Sequence, residues 1–489
     1  MRRSKAKSLS KAPVNHATVI HGVRWNLVTT VLRRIISLAL LIALASWLSQ
    51  SDFGVFRTYS LILAIASIFA VIGLDSNLIT SQRHTELNAF SFAQIGSGLG
   101  LLFSLLLSLS SVWLARLYQS AELGMLLKCT SLFVLVEVMR KLFRSMAQSR
   151  LKFKELALAE TWNVVFYCLT SFSVIYFYRQ VWVYVVAYFL GNLVETVYLY
   201  MCLKPFHSLQ LRRIFSLKWF GYSLELISRN RSFLTTVSVI RLLNTYAGNA
   251  PILFLGTLVS TALMGQYFFA TQLIGVPVLM FTMAVGQVFY PVFAQIGREN
   301  TIQSIQSYTR LTLSLGIPML LVYCFGLGYF VPILFGGKWD AAIPLLFFLI
   351  PFFGSSMLND PISGIPFICR KPHLELIWNI ISLVVRVFAL YAGIKYGFTI
   401  AVLLFSICSA VMSLLFYFMS LRLLHTKLLP ALASLSQWGA GIALLSIALL
   451  YVSTLPYALM YIALCFAIYL FAVYIFAKPV YTDVRRILK

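Results

Sequence analysis

Four arginines of this chain sit where a charge is expensive. The first long apolar run, "TTVLRRIISLALLIALASWLS" (29–49), carries Arg33 and Arg34 at its mouth. Its uninterrupted apolar part rises only about 22 Å as a helix, against a hydrocarbon core of roughly 30 Å. A spanning helix must therefore reach back to about Asn26, which draws both arginines roughly 10 Å into the membrane. Arg241 lies at similar depth in the seventh apolar run. Arg386 lies near the middle of the eleventh, with no other charge between Glu375 and Lys395. Such a guanidinium stays protonated and presents a planar fork of donors. Two carboxyls are similarly embedded, Glu195 in the sixth run and Asp360 in the tenth. A desolvated carboxyl can exchange a proton, the chemistry of ion coupling. The competing role is that of buried partner to an arginine. Asp360 precedes Pro361, in a run with Gly364 and Pro366, where a helix must be interrupted and its carbonyls freed.

The elements that hold these residues are membrane spans. The 489 residues are 60% hydrophobic and 11% charged, with a mean hydropathy of +0.87, which excludes an ordinary soluble protein. The net charge of +25 suggests nucleic-acid binding, but the basic residues lie in short loops between apolar runs, so no nucleic-acid partner is expected. Apolar stretches long enough to cross predict an all-α polytopic fold with about 14 transmembrane helices, near 26–48, 56–79, 91–116, 122–143, 157–178, 181–203, 233–258, 263–293, 308–335, 341–368, 374–394, 397–421, 434–454 and 457–477. The lysines and arginines concentrate in the N-terminal tail, 140–155, 204–231, Arg370–Lys371, Arg422 with Lys427, and the C-terminal tail. The alternate loops are short and nearly neutral. Both termini are therefore expected in the cytoplasm. A retained first span fits better than a cleaved signal peptide, because the polar leader is long and many spans follow.

The halves resemble each other weakly. "SDFGVF" (51–56) aligns with "ALMGQY" (262–267), matching Gly54 to Gly265. "ETWNVV" (160–165) aligns with "LIWNII" (376–381), matching Trp162-Asn163 to Trp378-Asn379. The shift is nearly constant, which predicts a six-span unit used twice, with chance likeness of apolar helices as the alternative. The expected organisation is a basic cytoplasmic tail (1–25), a first lobe (26–231), a second lobe (232–426), and a terminal helix pair with a basic tail (427–489). Under this repeat Arg33 maps to Asn244, one turn after Arg241, so each lobe offers an arginine on a comparable face. Arg33 and Arg34 are about 100° apart, so at most one points straight at a central cavity. The alternative for Arg33, Arg34 and Arg241 is snorkelling to the headgroups. For Arg386 it is a structural ion pair. Glu137, close before Arg140 and Lys141, reads as an interfacial pair.

No enzyme is indicated. Gly336-Gly337-Lys338 lacks the upstream glycine of a P-loop, and Trp339 stands where Ser or Thr belongs. No metalloprotease or nucleophile-elbow string occurs. The seven cysteines lie in or beside apolar runs without a C-x-x-C pair, so neither metal nor cofactor is expected.

"LASWLSQSDFGVFRTYSLILAIASIFAVIGL", "FRSMAQSRLKFKELALAE" and "VPILFGGKWDAAIPLLFF", with "PISGIPFICRKP" (361–372), resemble bacterial polysaccharide-transport proteins, the Wzx-type flippases of the MATE-like MOP superfamily. The chain departs from many relatives at Asn249-Ala250-Pro251, where an Asn-x-Asp is usual. The resemblance implies two six-helix lobes around a cavity open alternately to each side of a bacterial cytoplasmic (inner) membrane. It implies as cargo an undecaprenyl-diphosphate-linked oligosaccharide, with membrane lipids and a polysaccharide polymerase and chain-length proteins as candidate partners. Arg33, Arg241, Arg386 and Arg34 would then offset desolvation of the diphosphate through bidentate hydrogen bonds, and Asp360 or Glu195 would couple an ion. The alternatives are a drug antiporter of the same superfamily, disfavoured by the arginines, and a glycan polymerase or ligase, disfavoured by the short outer loops.

Overall fold

The computed structural model describes residues 16–80, 86–150, 152–177, 179–203, 220–295, 298–363, 365–369 and 371–424, with isolated positions between 445 and 467. The described elements are helices: α1 (His16–Trp47), α2 (Gln50–Val71), α3 (Leu74–Thr80), α4 (Glu86–Leu117), α5 (Ala121–Cys129), α6 (Phe133–Ser149), α7 (Phe153–Phe177), α8 (Trp182–Cys202), α9 (Phe220–Gly248), α10 (Ala250–Leu255), α11 (Thr261–Gln295), α12 (Arg298–Leu311), α13 (Ile317–Phe335), α14 (Ile343–Asn359), α15 (Ile365–Ile368), α16 (Pro372–Ile394) and α17 (Phe398–Leu423). Among the described residues nine helical stretches are long and apolar enough to cross a membrane. The expected spans 434–454 and 457–477 lie outside the described residues apart from isolated positions.

Helix boundaries differ from the sequence reading in several places. α1 begins at His16, inside the expected basic tail, and α9 begins at Phe220, ahead of the expected lobe boundary at 232. The fourth expected span is two helices, and α6 continues through Arg140 and Arg144 to Ser149. Charge marks a loop only when it faces water, and these two arginines face glutamates inside the bundle.

Local chemistry fixes the turns. Ser49 caps α2, its hydroxyl accepting from the Asp52 amide at 3.1 Å while Asp52 accepts from the Ser49 amide at 2.9 Å. The other Asp52 oxygen accepts from the Val181 amide at 2.9 Å, tying the start of α2 to the start of α8. Gly336 and Gly337, at φ 56° and 87°, end α13 in the left-handed region that glycine adopts freely. α14 stops at Asn359, where Pro361 permits only a 3₁₀ turn before the short α15.

The two halves of the chain pair their helices alike. α7 packs on α8 and α1, and α6 on α8; correspondingly α16 packs on α17 and α9, and α14 on α17. The halves meet along α2 and α11. There Ser51 and Thr261 share a hydroxyl hydrogen bond of 2.6 Å, and Gln266 donates to Gln50 at 2.9 Å.

At the same end of the bundle the turn after α13 reaches across to α1. The Lys338 ammonium donates to the carbonyls of Ala45, Ser46 and Leu48 at 3.0, 3.2 and 2.6 Å, satisfying acceptors that the end of α1 leaves open. Trp339 is fully buried, its indole N–H donating to the Ala45 carbonyl at 3.0 Å. Its ring stacks on Phe269 with centroids 4.3 Å apart and meets Phe53 edge-on at 5.0 Å. Burial lowers the Lys338 pKa, opposed by the Asp52 carboxylate. One turn of the second half thus clasps the first, about 18 Å along α1 from Arg33.

Candidate functional site

Three neighbouring cavities share lining residues from one to the next. The first, about 490 Å³, is enclosed by α1, α6, α7 and α8 and lined by Arg33, Arg34, Arg140 and Arg144. Glu160 and Glu195 also line it, leaving a net of two positive charges from four arginines against two glutamates. The acids hold the arginines in place. Glu160 accepts from Arg33 with one oxygen and from Arg144 with the other. Glu195, 1% exposed, accepts from Arg144 Nε at 2.5 Å, Arg140 at 3.4 Å and the Asn163 amide at 2.8 Å. Glu137 accepts twice from Arg140, at 2.6 and 3.1 Å, and Asn192 joins Asn163 to Glu137. A charge network paired on every acid is costly to desolvate but rigid once formed, and rigidity is what a pre-formed anion site needs.

Arg34 lines this cavity and also a second, about 300 Å³, together with Arg57. Arg34 has no ion-pair partner among the described residues. Arg57 donates to the Asn249 side-chain carbonyl at 2.5 Å and lies 5.5 Å over the Phe268 ring. The second cavity shares Gly248, Gly275, Leu279, Phe352 and Phe353 with the third, about 530 Å³, which lies in the C-terminal half. Arg386 lines that third cavity, donating to the Ala247 carbonyl at 3.0 Å with its guanidinium 5.8 Å over Phe352. Asp360 and Glu375 line it as well.

The expected site residues therefore divide. Arg33, Arg34 and Glu195 come together in the first cavity, and Arg386 and Asp360 in the third. Arg241 stands apart from the lining of all three. One of its nitrogens donates to both Asp75 oxygens at 2.6 and 2.5 Å and the other to the Ser76 hydroxyl at 2.7 Å, fastening α9 to α3.

The model of a family described as polysaccharide biosynthesis protein matches residues 43–344, well over half of the chain. The chain belongs to that family. Polysaccharide biosynthesis relatives include the lipopolysaccharide biosynthesis protein WzxC of Escherichia coli K12, 24% identical over 82% of this chain and 81% of its own length. They also include the teichuronic acid biosynthesis protein TuaB of Bacillus subtilis 168, 22% identical over 78% and 77%. Among solved structures, the lipid II flippase MurJ in an inward closed conformation superposes with a TM-score of 0.71, covering 94% of this chain and 98% of its own at 15% identity. An inward-facing multidrug transporter of the MOP superfamily gives 0.58 over 80% and 94%. The fold is that of MOP transporters. This polysaccharide biosynthesis protein is a multi-pass helical membrane protein.

Three arginines that line these cavities are not singled out by the sequence. The sequence reading puts Arg140 and Arg144 in a cytoplasmic basic stretch; the Glu137–Arg140 pair it expects is present, at 2.6 Å. The available signal for Arg140 and Arg144 is their helical spacing of four, which puts both on one face one turn apart. Arg57 is the third, and the signal for it is that it is the lone charge between Asp52 and Asp75 in the second span. Its partner is Asn249, the first residue of the Asn-Ala-Pro departure.

Proposed function

We propose that this protein moves an undecaprenyl-diphosphate-linked oligosaccharide across the cytoplasmic membrane by alternating access of two lobes, 26–231 and 232–426. The observation that carries the reading is the set of guanidinium groups, Arg33, Arg144, Arg34 and Arg57, lining two neighbouring cavities that share Arg34. A diphosphate entering a low-dielectric slab needs pre-placed bidentate donors, which arginines supply and ammonium groups do not. A site for cationic drugs would require the opposite sign. Both termini lie in the cytoplasm in this reading, and the Lys338 clasp lies on the outer side, closing it while the arginine cavity receives cargo. Asp360, exposed to the third cavity, is the carboxyl placed to exchange a proton; Glu195, held by three donors, orients the arginines. A polymerase and chain-length proteins would receive the product outside.

The test is complementation of surface glycan in a strain lacking the native protein, normalised to membrane abundance. Arg34→Gln with Arg57→Gln is expected to abolish export and the double lysine variant to restore a part. Full export by the double glutamine variant would overturn the reading.

A further inference from the structure

The two large cavities occupy corresponding places in the two halves but differ in chemistry. Asn163 and Asn379 are the matched asparagines of the repeat, and each lines its own half's cavity. Asn163 is spoken for, donating to Asn192 and Glu195 at 2.8 Å each. The Asn379 amide nitrogen is buried without a hydrogen-bond partner. So are Glu375 Oε2, Asn359 Oδ1 and Arg386 Nε, and all four residues line the third cavity. A buried polar atom left unpaired costs free energy, which a ligand bearing the complementary groups recovers.

The set mixes two donors with two acceptors. A phosphate only accepts and an ammonium only donates, so neither satisfies it; a sugar hydroxyl both donates and accepts. Glu375, Asn379, Ser382 and Arg386 recur at spacings of four, three and four on α16, forming one polar stripe about 16 Å long. In the first half the positions matching Ser382 and Arg386 are Phe166 and Thr170, so polarity runs deeper along the second half's wall. Trp378, 5.9 Å from Phe416, adds an aromatic wall against which the C–H face of a sugar ring can pack. Asp360 and Glu375 outnumber Arg386 there, whereas the first cavity is cationic.

We propose that the third cavity is a glycan subsite, taking uncharged sugar rings of the cargo on Trp378, Asn379 and Glu375 while the arginines of the first two cavities hold the diphosphate. The assignment rests on the lipid-linked oligosaccharide reading and deepens it. It sets an orientation for the cargo, charged end toward the first half and glycan toward the second, and makes Glu375 a discriminator against acidic sugars at that position.

The test uses full-length protein in lipid nanodiscs and measures affinity for undecaprenol, for undecaprenyl diphosphate, and for undecaprenyl diphosphate bearing either a neutral N-acetylhexosamine–hexose disaccharide or one ending in a hexuronic acid. Wild type should bind the neutral glycolipid more tightly than the bare diphosphate. Asn379→Leu and Trp378→Leu should each weaken the neutral glycolipid about tenfold, with the bare diphosphate changed by less than about twofold. Retained diphosphate binding shows that the variant is folded; Trp378→Phe, which keeps an aromatic face, should bind near wild type, and Asn379→Leu decides if Trp378→Leu fails to accumulate. Glu375→Gln should narrow the gap between neutral and acidic glycolipids. Equal loss for bare and glycosylated diphosphates, or no loss for either, overturns the subsite while leaving the cargo reading intact. If wild type binds undecaprenyl diphosphate no better than undecaprenol, the cargo reading falls and the subsite with it.

Discussion

Gly54 and Gly265 meet across the seam between the halves, and each is closed in by the residue four before its partner. A Cβ on Gly54 would stand 1.9 Å from the Thr261 carbonyl oxygen, and one on Gly265 would stand 1.7 Å from that of Gln50. The repeat that matches Gly54 to Gly265 also matches Gln50 to Thr261. A contact that reads the same from both sides is what a two-fold relation between the halves requires. Gly54→Val should therefore hold α2 and α11 apart. In a cysteine-free chain carrying Ser51→Cys and Thr261→Cys, whose parent hydroxyls are 2.6 Å apart, the disulfide should form readily. Adding Gly54→Val should slow its formation about tenfold or more, because the sulfurs need close Cα approach. Unchanged cross-linking would show that the seam tolerates the bulk.

The clasp makes a second prediction. Trp339→Ala removes a fully buried indole at a cost of about 3–5 kcal/mol to the clasped state. A cysteine placed at Thr271, in the second cavity, should then react about tenfold faster with an impermeant thiol reagent added from the Lys338 side, as a shifted population requires. Lys338→Met should act in the same direction, since the carbonyls at the end of α1 and at Leu48 lose the ammonium. Unaltered labelling in both variants would mean that the clasp is not a gate.

Arg386→Ala should lower surface glycan about tenfold at equal membrane abundance, for among the described residues no other basic side chain lines its cavity. Arg386→Lys should recover only part, because an ammonium cannot keep both the Ala247 hydrogen bond and the flat contact over Phe352. Full complementation by Arg386→Ala would remove this residue from the transport path.

The two embedded acids should behave differently. Glu195→Gln leaves Arg140 and Arg144 short of a partner and should destabilise the protein by about 3–5 kcal/mol, seen as a lowered Tm in detergent. Asp360→Asn, in a group that makes no such network, should leave Tm nearly unchanged and remove the dependence of transport on a pH gradient. The reverse pattern would exchange their roles.

Orientation is checked by reporter fusions. Fusions after Leu203 and after Lys489 should report cytoplasm, and one at Lys338 should report the opposite side, as the lysine and arginine distribution requires. A cytoplasmic signal at Lys338 would place the clasp on the wrong side for an outer gate.

That this is a helical membrane protein is legible in the sequence alone, because long apolar runs are a local property with one solution in lipid: a helix that satisfies its own backbone. The sequence also marks Arg33, Arg34 and Arg386 as residues needing a reason, since charge at depth is visible without knowing any neighbour. What each charge faces depends on how the helices pack. Arg241 looked equivalent to Arg33 along the chain, yet Asp75, far away in sequence, takes it out of the cavity lining. Arg140 and Arg144 looked like loop cations, yet Glu137, Glu160 and Glu195 from three helices bring them inside. The Gly336–Trp339 turn could be excluded as a nucleotide site but not recognised as a clasp, because its acceptors lie on α1. Helix periodicity fixes which face a residue occupies; which partner that face meets is set by long-range packing, and a pairing between distant segments leaves no periodic trace in either one.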